Sequence, residues 1–184
     1  TCAHQGKSGP CANVLVDAGI TRVVSAITDP DPRVSGKGYS ILRSAGVIVV
    51  EDVLQNEAAA ANAGFFLKTN ERRPLVTLKL ASSLDGRIAT KMGDSRWITG
   101  PHARRSVHMM RAQHDAILVG RNTVAADDPD LSVRDIGLGH RSPIRIVLDS
   151  NLRTPKSARL FHSANDVPVW LCHLDGCADG NSIL

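Results

Sequence analysis

Short β-branched runs alternate with helix-prone segments along this chain, and that alternation limits the fold more than any other feature. Residues 23–27, 47–50, 116–119, 144–148 and 167–172 are apolar runs too short for helices and read as buried strands. Between them, residues 12–18, 39–45 and 102–113 place apolar side chains at helical spacing. Gly19 and Gly46 stop the first two, and Pro101 opens the third. The Ala-rich segment 52–67 is also helix-prone. The run Asp29-Pro30-Asp31-Pro32 must turn, because proline ends a helix and cannot donate to a sheet. Strands separated by crossover helices pair in parallel, so the expected class is α/β. The polar stretch from Thr69 to Pro74 reads as a boundary between a unit of residues 1–72 and one of residues 73–184. The second unit is expected to open with a strand at residues 75–80. It then holds only about 110 residues, so its last strands are expected to lie outside the chain.

Composition removes several classes. Aromatic residues make up 3% of the 184, so the core must be built from Val, Leu, Ile and Ala. The formal charge is +4, but Lys and Arg are scattered and not interleaved with aromatics. That pattern fits phosphorylated small molecules better than nucleic acid, and no nucleic-acid partner is expected. No apolar run approaches the roughly 20 residues of a membrane helix, and the polar first residues are not expected to be a signal peptide, so no membrane partner is expected either. Four cysteines do not make a disulfide scaffold at this length and point to the reducing cytoplasm. The first residue is Thr1 rather than Met, so the true start is expected upstream.

Cys2 and Cys11 flank a loop containing Gly6 and Gly9, which would let both sulfurs converge on one Zn²⁺. Cys11 begins the first helix, where the helix dipole would favour a thiolate. Two buried thiols without metal explain the same residues, since the spacing is wider than that of a zinc knuckle. Two ligands are also too few, and His4 lies too close to Cys2 to serve. The segment Cys2-Ala3-His4-Gln5-Gly6-Lys7-Ser8-Gly9-Pro10-Cys11 resembles the Pro-Cys-x-His-x-Gly-x-Thr-Pro-Pro-Cys signature of the riboflavin-pathway deaminases, which have a cytidine-deaminase-like fold. Thr1 stands where the family has Pro, and Ser8-Gly9 replaces Thr-Pro. The resemblance implies that Cys2 and Cys11 are two of three zinc ligands. It puts the third ligand and the catalytic Glu in an upstream His-Ala-Glu motif that this chain lacks. Without that Glu, the chain alone is not expected to deaminate.

Further along, Lys79 interrupts the apolar run 75–80. A buried lysine is costly unless paired, so Lys79 either faces a ligand cleft or reaches solvent from an edge strand. The stretch continues through Ala81-Ser82-Ser83-Leu84-Asp85-Gly86-Arg87, with a turn at Asp-Gly. Ser95-Arg96-Trp97-Ile98-Thr99-Gly100, then Arg111, Gly120-Arg121-Asn122-Thr123-Val124, Asp127-Asp128-Pro129-Asp130-Leu131-Ser132-Val133-Arg134 and Pro143-Ile144-Arg145-Ile146-Val147-Leu148-Asp149-Ser150 follow in order. Together these blocks resemble the riboflavin-pathway reductases, whose fold is like that of dihydrofolate reductase. The chain is thus expected to hold the C-terminal part of a cytidine-deaminase-like domain followed by the N-terminal part of a dihydrofolate-reductase-like domain.

The resemblance implies NADPH as cofactor, a phosphoribosylated pyrimidine as substrate and a homo-oligomeric assembly. It places Ser95, Arg111, Leu131 and Arg134 at the substrate and Ala81, Trp97, Thr123, Asp127 and Ser150 at the cofactor. Lys79 would hydrogen-bond the pyrimidine and steer a proton. Arginine suits a phosphate because its guanidinium fork binds it bidentately. Taken singly, Trp97 could be a core aromatic, Asp127-Asp128-Pro129 a capped turn, and the two arginines solvated. No Gly-x-Gly-x-x-Gly element supports a Rossmann site. The glycine-rich cofactor loop of the family is expected beyond the end of the chain. His108, His114, His140, His162 and His173 show no ligand spacing, and Cys172 and Cys177 read as ordinary thiols. Two other readings remain open: a reductase with a structural deaminase remnant, and a zinc-binding interaction module.

Overall fold

The structure is a computed structural model that describes Ala3 and residues 9–176. Its contacts divide the chain into a first unit ending at Lys79 and a second beginning at Leu80. In the first unit, helix α1 (Cys11–Asp17) leads to strand β1 (Arg22–Val24) and helix α2 (Lys37–Ser44) to strand β2 (Ile48–Val50). The strands pair in parallel, with Val23 opposite Val49. Ala12, Leu42 and Val47 form the buried centre, and Leu15, Val16 and Ile41 pack around it. Gly19 follows α1 at φ 69° and Gly46 follows α2 at φ 81°, left-handed positions that favour glycine. The Asp-Pro turn closes on its own carboxylates: Asp29 Oδ1 accepts from the Asp31 N–H at 2.9 Å, and Asp31 Oδ1 from the Arg33 N–H at 2.9 Å.

The expected helix over 52–67 is broken. Helix α3 (Gln55–Ala61) stops at Asn62, helix α4 (Ala63–Phe66) follows, and a π-turn runs over Leu67–Glu71. Asn62 Nδ2 donates to the Ala58 carbonyl at 2.8 Å, and such side-chain competition disfavours Asn within helices. The expected strand at residues 75–80 does not form. Residues 73–80 have no regular structure, and Val76, Leu78 and Leu80 are exposed. A strand exists only through a neighbour's ladder, so β-propensity alone leaves this segment extended and unpaired.

The second unit is built on a parallel sheet ordered β3 (Ala116–Gly120), β4 (Ile144–Leu148), β5 (Val169–Cys172). Helix α5 (Pro101–Ala112) precedes it with proline in the first turn, as the sequence predicts. Helix α6 (Arg121–Asp127) leaves β3 directly and was not foreseen as a helix. Val124 from α6 packs with Val147, Ala158 and Leu160 on one sheet face. On the opposite face Leu118 is 57% exposed, Leu148 48% and Trp170 54%. The predicted Asp-Gly turn is present, with Gly86 at φ 77° and its N–H 3.0 Å from the Ser83 carbonyl. No helix among the described residues is long and apolar enough to cross a membrane.

Candidate substrate and cofactor site

The second unit contains a cluster of charges organised around residues 130–134. Its foundation is Arg145, which projects from the middle strand and is 0% exposed. Its Nη1 donates to the main-chain oxygen of Asp130 at 3.2 Å and to Ser163 Oγ at 3.0 Å. Its Nη2 donates to the Ser163 carbonyl at 3.1 Å and also to the Val167 carbonyl. Asp130 Oδ1 lies 3.5 Å from the same guanidinium. One buried cation therefore ties the loop at residue 130 to the loop before β5.

Asp130 passes this order on. Its Oδ2 accepts from Ser132 Oγ at 2.9 Å and from Arg134 Nη1 at 3.1 Å. Burial works against the carboxylate, but the Ser132 hydroxyl, Arg134 and Arg145 outweigh it and hold its pKa below the ordinary value. Arg111 reaches across from α5 and donates from Nη1 to the Ser132 carbonyl at 3.1 Å, while its buried Nε meets no partner. Burial lowers the Arg111 pKa, Arg134 adds repulsion, and Asp130 opposes both. Leu131 is buried in this loop at φ 64°, a left-handed conformation costly for leucine. Three of the substrate residues implied by the sequence, Arg111, Leu131 and Arg134, are thus held together. The three guanidinium groups of Arg111, Arg134 and Arg145 around the Asp130 carboxylate leave a net positive centre with an unsatisfied buried donor on Arg111, which suits a phosphate.

Thr123, Asp127 and Ser150 are three of the cofactor positions that the resemblance implies. All three are exposed. Thr123 and Asp127 lie on α6, which continues from the end of β3, and Ser150 lies just beyond the end of β4, where Gly120 pairs with Leu148. Thr123 and Ser150 thus follow closely on the carboxyl ends of β3 and β4, where α/β proteins commonly bind ligands, and Asp127 lies at the far end of α6. Beside Ser150, the buried Asp149 accepts from the Thr154 N–H and hydroxyl, each at 2.6 Å. Burial raises its pKa, but Thr154 and the neighbouring main-chain N–H groups pull it below the ordinary value. Ala81 and Ser95 are partly buried. Trp97 is 70% exposed with the Arg104 guanidinium 4.4 Å from its ring centre, so it is not a core aromatic.

Lys79 is the last residue of the first unit and is exposed, and the strand expected to carry it does not form. Cys11 opens α1 and is exposed. Cys2 and His4 lie outside the described residues. Among the described residues no three His, Cys, Asp or Glu side chains are placed to hold a metal.

Residues 74–179 match the RibD C-terminal domain family. The chain belongs to that family. It is 42% identical over 181 residues to the riboflavin biosynthesis protein RibD of Haemophilus influenzae, a match that takes in 92% of this chain and 48% of that protein. It is also 42% identical over 176 residues to RibD of Escherichia coli, with 90% of this chain and 48% of that one covered. The chain spans about half the length of the curated relatives it matches. Among solved structures, a Thermotoga maritima diaminohydroxyphosphoribosylaminopyrimidine deaminase/5-amino-6-(5-phosphoribosylamino)uracil reductase superposes with a TM-score of 0.83 at 39% identity, over 94% of this chain and 48% of that one. RibD of Acinetobacter baumannii gives 0.80 at 41% identity, over 97% of this chain and 51% of that one. The mixed helix and parallel-sheet architecture is thus that of RibD structures.

Sequence reasoning assigned no role to three residues of this RibD domain: Arg145, Asp130 and His108. For Arg145 the signal was available. An arginine in the apolar run 144–148 is the same anomaly that drew attention to Lys79, and here the charge is buried.

Proposed function

We propose that the chain is the junction of a bifunctional riboflavin-pathway enzyme, with residues 1–72 from the end of the deaminase domain and 73–184 from the start of the reductase domain. The proposed reaction of the second part is the NADPH-dependent reduction of 5-amino-6-(5-phosphoribosylamino)uracil to its ribitylamino product. The observation that carries this reading is the convergence of Arg111 and Arg134 on one loop of a RibD C-terminal domain. Two guanidinium groups held at the loop of residues 130–134 would grip the ribose 5-phosphate and orient the sugar. Leu131 and Ser95 complete the proposed substrate contacts. Exposed Thr123 and Ser150 beyond the carboxyl ends of β3 and β4 fit a dinucleotide, and Ala81, Trp97 and Asp127 would contact it too. When bound, NADPH supplies the hydride that reduces the Schiff-base carbon of the opened ribose. Lys79 is proposed to donate a hydrogen bond to the pyrimidine and hold the proton needed there.

Zinc fits less well. Cys2 and Cys11 are proposed as two ligands of the deaminase metal, whose third ligand the family resemblance puts in a motif that this sequence lacks. No deamination step is assigned to this chain. Titrated with Zn²⁺, the isolated polypeptide should bind weakly or not at all, and a tight site of one ion per chain would show that its ligand set is complete. A cytoplasmic setting and a homo-oligomeric parent complete the proposal. In a protein of its relatives' full length, NADPH should be oxidised only when the phosphoribosylamino-uracil is added. Oxidation that is indifferent to the substrate's phosphate would remove the basis of the reading.

A further inference from the structure

His108 stands three residues before Arg111 on α5, so the two side chains lie one turn apart on the same side of the helix. Its Nδ1 is 3.1 Å from the main-chain N–H of Arg134. That N–H can only donate, so Nδ1 accepts and the neutral ring carries its proton on Nε2. One imidazole therefore joins the helix bearing Arg111 to the residue bearing the second guanidinium.

The loop needs such tethers. Leu131 at φ 64° and Asp135 at φ 63° both hold left-handed conformations that non-glycine residues avoid. Arg145 binds the carbonyl of Asp130, Arg111 the carbonyl of Ser132, and Ser142 Oγ accepts from the Val133 N–H at 3.0 Å. His108 is the tether at Arg134 itself. The charges around the ring favour its accepting form. Burial lowers its pKa first, then Arg111 and Arg134, against Asp135 and a main-chain hydrogen bond at Ser132. The 3-10 turn Gly139–Arg141, which packs on α5, adds His140 and Arg141 to that side.

The geometry points to His108 as a positioning residue: as a neutral acceptor it sets the spacing of Arg111 and Arg134, and through them the affinity for a phosphate-sized dianion. This rests on the proposed phosphate-binding role of the two arginines. Asparagine at this position can present Oδ1 where Nδ1 stands and cannot become charged, whereas leucine fills the space with no acceptor.

Sulfate is the probe, because its charge does not change near neutrality. Its affinity for the 184-residue chain would be measured by calorimetry at about pH 8, above the ordinary imidazole pKa of about 6.5. His108→Asn should bind within about twofold of wild type and His108→Leu about fivefold more weakly, the worth of one neutral hydrogen bond. Exchange of the Arg134 amide proton should stay slow in wild type and His108→Asn and quicken in His108→Leu. Wild-type behaviour of His108→Leu, or equal weakening in both variants, would overturn the positioning role. If wild type fails to bind sulfate, or if Arg111→Ala and Arg134→Ala bind it unchanged, the phosphate reading is overturned and the tuning of affinity with it. Amide exchange then reports separately on whether His108 holds the loop.

Discussion

Replacing Arg111 with alanine should raise the KM for the phosphoribosylated substrate about 10- to 100-fold in the full-length enzyme, with kcat much less affected. The magnitude follows from the loss of a charge-assisted hydrogen bond, worth about 1.5–3 kcal/mol. A change confined to KM is the signature of binding shared by ground state and transition state. Arg111 also donates to the Ser132 carbonyl, so its removal slackens the loop that carries Arg134. Arg134→Ala should act in the same direction but less strongly, because Arg134 is partly exposed and already shares its charge with Asp130. Steady-state kinetics of both variants check this, and unchanged constants in both would refute the phosphate assignment.

The largest effect on stability is expected at Arg145. Methionine there would remove the donors that satisfy Asp130, Ser163 and Val167 and leave the Asp130 carboxylate facing a buried apolar chain. Breaking a buried, hydrogen-bonded charge from one side costs about 3–5 kcal/mol. Domains are stable by only about 5–15 kcal/mol, so the second unit would approach its limit. Urea denaturation followed by circular dichroism measures the loss. A change below about 1 kcal/mol would mean that the loops at 130 and 163–167 satisfy themselves without Arg145.

The sheet of the second unit was legible because each of its strands is a compact, mainly apolar run bordered by turn or helix signals. Residues 144–148 became β4 as expected, and 167–172 shortened to Val169–Cys172, with Pro168 left outside. Residues 75–80 have the same composition and failed, because pairing depends on a neighbour that composition does not record. Helix α6 was hidden by its seven-residue length and by Gly120, which offers no side-chain cap. At the site, Arg111, Leu131 and Arg134 came from the family resemblance, and the structure brings the Arg111 side chain from α5 onto the loop that holds Leu131 and Arg134. His108 has no ligand spacing to mark it, and a single ring accepting one hydrogen bond leaves no periodic trace. Asp130 looked like part of a turn, and its role depends on Arg145 fifteen residues later.

The bare side of the β3–β4–β5 sheet has a thermodynamic consequence. Leu118, Leu148 and Trp170 stay largely hydrated in the folded state, so unfolding exposes less new apolar area than a sheet covered on both sides would. Both the heat-capacity step and the denaturant dependence scale with that area. The second unit should therefore melt over a wide range with a shallow response to urea. Any partner surface that covers those side chains will sharpen the transition as well as move it.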